Sequence, residues 1–135
     1  MNELTQAFVS FHMANRDVFY HIHRIAVSAA NMGQKKIGIN AVYEMVRWHA
    51  DVGGSSPKMS NDYKPYYARL LLCSAKKSGV TFPPSYIECN VSDADTVEFY
   101  QWLREETGEA QPGKIIFGDD FQDRGAPMLP LLSLF

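Results

Sequence analysis

The sequence predicts a mainly α-helical fold with a small β-hairpin. Four segments between residues 15 and 108 carry apolar side chains at helical spacing, and glycine or proline breaks separate them. Two short extended pieces flank Pro83 and Pro84. At 135 residues, the chain is long enough to bury a core without disulfides or metals.

The first strong helical pattern covers residues 15–33, with Asn15 as a candidate N-cap and Gly33 at its end. A short lead-in helix precedes it, built on Leu4, Phe8 and Phe11. The apolar stripe of the main helix consists of Val18, Ile22, Ile25, Ala26, Ala29 and Met32.

A short extended piece at residues 37–39 leads into a second helix, for which Asn40 is a good N-cap. We expect this helix to be nearly all buried, with a half-buried His49. Its predicted core side is formed by Val42, Tyr43, Met45, Val46, Trp48 and His49.

The third helix follows Asn61 and Asp62, either of which can cap it, and Pro65 suits its first turn. It ends at Ser78 and Gly79. One face should point inward, with Tyr67, Leu70, Leu71 and Ser74. The opposite face carries Pro65, Arg69, Leu72 and Lys76.

Residues 80–91 are predicted to form the hairpin, and residues 92–108 a last helix with a capping pair of Ser92 and Asp95. The tail shows a candidate strand at 115–117 and an apolar cluster at 128–135. We therefore expect a domain over residues 1–90 and, over residues 91–135, an acidic helix and tail packed on or appended to it.

Helix, strand, helix, helix, strand, strand is the order of a winged-helix, or helix-turn-helix, domain. In that architecture the third helix can enter the major groove of DNA, and the hairpin touches an adjacent groove or the backbone. The fold prediction is thus a winged-helix-like core plus a C-terminal acidic helix and tail.

Residues 11–72 also resemble a widespread family of small, mostly uncharacterised phage, prophage and bacterial proteins. The matching pieces are FHMAN, GQKKIGI, EMVRWH and KMSNDYKPYYARLLL, the last of which is similar to the family pattern NNxxxxYAR. The resemblance implies a winged-helix-like domain from a mobile element. The chain departs from the family after residue 80, where it adds the acidic helix and tail.

Charge is unevenly distributed along the chain. Residues 1–82 contain ten basic and five acidic residues, whereas residues 83–135 contain three basic and ten acidic residues. Basic and polar residues around the third helix predict a site for duplex DNA, because such side chains contact phosphates and base edges. The predicted site consists of Lys35, Lys36, Lys58, Asn61, Lys64, Tyr66, Arg69, Lys76 and Lys77.

Two alternatives stay open. Tyr66, Tyr67 and Arg69 could be structural, with Arg69 paired to Glu44 or to an acid of the last helix. The protein could instead be a phage-encoded inhibitor that binds a host enzyme without binding DNA. Its protein-binding surface would then include Asp95, Glu98, Trp102 and Glu105.

The remaining features indicate a cytoplasmic, non-enzymatic protein, which could act as a homodimer. The chain has no phosphate-binding loop, nucleophile elbow or dinucleotide motif, and its histidines lack metal-ligand spacing, so we expect no cofactor or metal. Asp119, Asp120 and Asp123 are more typical of a solvated turn than of a Mg²⁺ site. Two cysteines suggest reduced thiols, and no apolar run is long enough to span a membrane.

Overall fold

A computed structural model describes residues 1–52 and 57–109, together with Pro112. This part of the chain is mostly helical. Its helices are α1 (Glu3–Ala14), α2 (Arg16–Asn31), α3 (Ile39–Val52), α4 (Lys64–Lys77) and α5 (Val97–Thr107), with a single 3-10 turn at Asn61–Tyr63. The tail strand, the aspartates at 119, 120 and 123 and the apolar cluster at 128–135 lie outside the described residues.

Short-range sequence signals set most of the helix ends. Asn2 caps α1 by accepting from the Thr5 amide at 2.7 Å. Gly33, just beyond α2, and Gly108, which ends α5, both adopt positive φ, at 92° and 75°. Asn15 stands at the N-cap position of α2, as predicted, but its side chain makes no capping bond there. That side chain instead donates to the Phe11 carbonyl of α1.

Helix α4 lies at the centre of the fold and packs against α2, α3 and α5. Because neighbours cover it on several sides, the predicted polar face is exposed only in part: Lys76 is exposed, whereas Arg69 is buried. Its buried residues are Tyr66, Tyr67, Ala68, Arg69, Leu70, Leu71, Cys73 and Ala75.

No β-hairpin forms within the described residues. Ile87 instead makes an isolated parallel bridge to Ile37, where the Ile37 amide donates to the Tyr86 carbonyl at 2.8 Å. The buried hydroxyl of Tyr86 donates to the Ala26 carbonyl of α2 at 2.7 Å. The segment after α4 is therefore fixed to the helices rather than to a second strand.

Helix α5 shares the core of the other helices. Phe99 and Leu103 are fully buried, and the Phe99 ring lies 5.8 Å from the ring of Phe8 on α1. The helix begins at Val97 with Thr96 as its cap, later than the predicted pair of Ser92 and Asp95. Asp95 still accepts from the Ser92 amide at 2.8 Å, as a capping pair predicts, but it does so one turn before the helix and also binds Arg69.

Helix α3 is less buried than predicted. Val42, Tyr43 and Val46 face the core, whereas Met45 and Trp48 are 49% and 62% exposed. His49 is exposed as well, so its predicted half-buried position is wrong. Helical contacts to α3 come from α2 and α4, which cover one side of it. None of the described helices combines the length and the apolar character needed to cross a bilayer.

Candidate nucleic-acid interface and a second polar pocket

Arg69 is the largest departure from the predicted DNA site. Its side chain is 1% exposed and donates to both carboxylate oxygens of Asp95, at 2.7 and 2.9 Å. It also donates to the carbonyls of Pro65 and Asn90, at 2.9 and 2.7 Å. Arg69 is therefore not available to DNA, and the alternative that it pairs with an acid of the predicted last helix, residues 92–108, is confirmed.

Tyr66 is also unavailable. It is 1% exposed, and its hydroxyl shares a 2.9 Å hydrogen bond with the Thr5 hydroxyl of α1. Burial is the main cause of the raised pKa of Tyr66. Its ring stacks 5.0 Å from the ring of Phe8. The residue joins α1 to α4, and its assignment to a DNA-contacting surface is wrong.

The alternative protein-binding surface loses its central members in the same way. Asp95 is 1% exposed. Its carboxylate accepts hydrogen bonds from Arg69, from the Ser92 amide and from the Tyr100 hydroxyl. Trp102 is half-buried, with its ring stacked 5.7 Å from Phe99. Glu98 is half-buried, and Glu105 is the one exposed residue of the four.

Five of the predicted DNA-binding residues, the buried Arg69 among them, line two adjoining pockets of about 680 and 440 Å³. Lys36 lines both pockets, Lys76 lines the larger one, and Lys64 and Asn61 line the smaller one. The pockets share Lys36, Glu88 and Cys89. We call this continuous surface the lysine groove. It is formed by the loop before α3, one side of α4 and the segment 80–92.

Two lysines of the groove are held in ion pairs. The Lys36 ammonium lies 3.3 Å from the Glu88 carboxylate, with both side chains more than 60% exposed. The Lys64 ammonium lies 3.0 Å from Glu44 and 5.7 Å from the centre of the Tyr43 ring. The exposed Lys36–Glu88 pair is weak, typically about 0–1 kcal/mol, so a phosphate can displace Glu88. The Lys64 side chain is 19% exposed, so a phosphate reaches it at its exposed end.

Asn61 has a more structural role than predicted. Its side-chain oxygen accepts from Arg47 at 2.8 Å, and Arg47 also donates to the Met59 carbonyl at 2.8 Å. The Asn61 amide group remains at the groove, because the residue is exposed. Arg47 thus fixes the entrance to α4, a function that the sequence did not indicate.

The remaining lysines of the predicted site do not join the groove. Lys35 and Lys58 are exposed but line neither of its pockets. Lys77, although adjacent to Lys76 in the chain, lines a different pocket. Neighbouring residues of a helix point about 100° apart, so Lys76 and Lys77 serve different surfaces.

The pocket that Lys77 lines is separate from the lysine groove, and we call it the histidine pocket. It has a volume of about 330 Å³ and lies where the ends of α1, α4 and α5 meet α2. The Arg16 guanidinium donates to Glu106 at 2.7 Å, and the His12 Nε2 atom lies 3.8 Å from the same carboxylate oxygen. The lining residues are His12, Arg16, Phe19, Tyr20, His23, Leu70, Ser74, Lys77, Ser78, Glu106 and Thr107.

Burial lowers the pKa of both histidines of this pocket. For His12 the charge of Arg16 adds to the lowering, while Glu106 opposes it. For His23 burial is the cause. Both imidazoles are therefore neutral near pH 7. In the described residues, no group of three or more His, Cys, Asp or Glu side chains is arranged to hold a metal ion.

We expect the protein to lose stability as the pH falls from about 7.5 to about 5.5. Because the folded-state pKa values of His12 and His23 are lowered, the unfolded chain binds protons first, and the free energy of unfolding falls below about pH 6.5. Melting temperatures over this range test the sign. His23→Gln should flatten the curve relative to the parent protein. Equal slopes for the two proteins would contradict the prediction.

Comparison of the chain with protein-family models, with curated proteins and with solved structures finds no match. The functional argument therefore depends on the two surfaces just described, the lysine groove and the histidine pocket.

Proposed function

We propose that the protein binds duplex DNA, and that it does so by holding the phosphate backbone along the lysine groove. The observation that carries this proposal is the convergence of Lys36, Lys64 and Lys76 on one continuous surface. Lys36 precedes α3, whereas Lys64 and Lys76 stand near the two ends of α4. Phosphate contacts by lysine supply most of the affinity of sequence-independent DNA binding.

Backbone binding fits this fold better than insertion of a recognition helix. A helix that enters the major groove needs an exposed face of polar side chains, and α4 is covered by α2, α3 and α5. In this proposal the segment 80–92 takes the place of the wing, with the bridge between Ile87 and Ile37 instead of a hairpin. That segment contributes the wall of the groove that carries Glu88.

Duplex DNA is favoured over single strands because the groove offers no stacking platform. Proteins that hold single strands stack bases on exposed aromatic rings. The aromatic residues that line the groove are Phe82, which is half-buried, and Tyr86, which is 1% exposed. Lysines and asparagines, which contact phosphate and sugar, dominate its exposed polar groups.

The test is retention on a random duplex as a function of salt. With three lysines contacting phosphates, we expect weak binding, with a Kd of roughly 1–100 µM at physiological salt. The affinity should fall about 40-fold between 50 and 200 mM salt, because each contact contributes a logarithmic slope of about −0.9. A single strand of equal length should bind less tightly.

Absence of binding at 50 mM salt would overturn the proposal, since counterion release is strongest there. Salt-independent binding would also contradict it, because that would place the contacts away from phosphates. A protein partner would then be the better hypothesis. It would have to contact surfaces other than Asp95 and Trp102, which are buried or half-buried in the core.

A further inference from the structure

The lysine groove combines an exposed lysine with an apolar wall. Lys76 is exposed and forms no ion pair with any other described residue, whereas Lys36 and Lys64 each pair with a glutamate. Beside Lys76, half-buried apolar side chains line the larger pocket of the groove, and these are Leu72, Val80 and Phe82. Removing apolar surface from water is favourable, but a phosphate group cannot cover it. The groove is therefore suited to a ligand that carries both acidic and apolar side chains.

The chain itself contains such a ligand beyond the described residues. The segment 117–123, with the sequence FGDDFQD, carries three aspartates, two phenylalanines and no basic residue. We call it the acidic segment. The lining of the groove carries three lysines against one glutamate, an excess of two positive charges, because Arg69 is neutralised by Asp95. Segment and groove are thus complementary in charge, which favours their association over contact between surfaces of the same sign.

The end of α5 lies close to the end of α4 that carries the exposed lysine of the groove. Thr107, the last residue of α5, lines the histidine pocket together with Lys77 of α4. Burial raises the pKa of the Cys73 thiol on α4 to about 12, and the charge of Glu109 adds to this effect. Asp119 follows Glu109 by ten residues, which span up to ~33 Å when extended. The two groove lysines of α4 are only about 18 Å apart along the helix, so the acidic segment can reach both.

We propose that the acidic segment, residues 117–123, binds in the lysine groove and competes with DNA for it. Its aspartates pair with the groove lysines, Lys76 first among them, and Phe121 packs on the apolar wall. A ligand tethered to its own site acts at a millimolar effective concentration, so weak intrinsic affinity is sufficient for competition. The competition with DNA rests on the proposed function, whereas the contact between segment and groove does not.

Acylation of lysines in the full-length protein, measured residue by residue by mass spectrometry, tests the contact without DNA. A carboxylate beside an amine favours its protonated form, which does not react with the acylating reagent. In the triple variant Asp119→Asn, Asp120→Asn and Asp123→Asn, Lys76 should react about threefold faster than in the parent protein. Lys77, which lies outside the groove, should keep its rate. An unchanged rate at Lys76, or an equal rise at Lys77, would overturn the proposal.

Binding of a random duplex at 50 mM salt tests the competition. The triple variant should bind about tenfold more tightly than the parent protein, because the tethered competitor is lost. The matched control is Glu3→Gln with Asp17→Asn and Glu105→Gln, three exposed acids outside the groove. It should gain less than about threefold, through long-range attraction alone. Equal gains in both triple variants would overturn the competition. If none of the three proteins binds DNA while Lys76 reacts faster in the acidic-segment variant, the proposed function fails and the contact is supported.

Discussion

Asp95→Asn is expected to lower the free energy of unfolding by about 3–5 kcal/mol, because it leaves the guanidinium of Arg69 buried without a countercharge. Both side chains are 1% exposed. Asp95 also accepts a hydrogen bond from the Ser92 amide at 2.8 Å. The NH₂ group of an asparagine in its place would therefore face N–H or O–H donors that now bind the carboxylate. Urea unfolding followed by tryptophan fluorescence measures the loss, because the half-buried Trp102 packs against Phe99 in the core.

Two further variants separate loss of the ion pair from general damage. Glu105→Gln changes a similar charge on the exposed side of α5 and should alter stability by no more than about 0.5 kcal/mol. Replacing both partners, as Arg69→Met with Asp95→Leu, should recover much of the loss, since no uncompensated charge remains. A cost below about 1 kcal/mol for Asp95→Asn would show that the pair contributes little.

The helices of this fold were largely predictable, because periodicity and capping are local properties. The burial of Arg69 was not. A charged side chain is rarely buried unless it is paired, and the partner lies 26 residues further along the chain, just before α5. The sequence contains several acidic residues that could pair with Arg69. Only the packing of α5 on α4 selects Asp95.

The two polar surfaces show the same limit. Lys76 and Lys77 are equivalent as sequence, yet the fold assigns one to the lysine groove and the other to the histidine pocket. Residues from α1, α2, α4 and α5 line the histidine pocket, so no local sequence motif indicates it. The apolar character of Trp48 predicts a core position, and nothing local distinguishes it from Tyr43, yet Trp48 is 62% exposed and Tyr43 is fully buried.

For the lysine groove, the double variant Lys36→Glu with Lys76→Glu is expected to weaken duplex DNA binding about 100-fold at 50 mM salt. It should also reduce the salt slope by about 2, because each lysine that contacts a phosphate contributes about one unit. Both side chains are exposed, so the fold should tolerate the change. A charge reversal at Arg69, by contrast, would test folding rather than DNA binding, since that residue is buried.

The control is Lys58→Glu with Lys77→Glu, which changes the net charge by the same amount at exposed lysines outside the groove. It should weaken binding less than about fivefold, through long-range repulsion alone. If the two double variants lose affinity equally, net charge rather than the groove holds the DNA.

Glu88→Gln gives a sharper result, because freeing Lys36 from its 3.3 Å partner should raise affinity. Misfolding cannot account for a gain in binding.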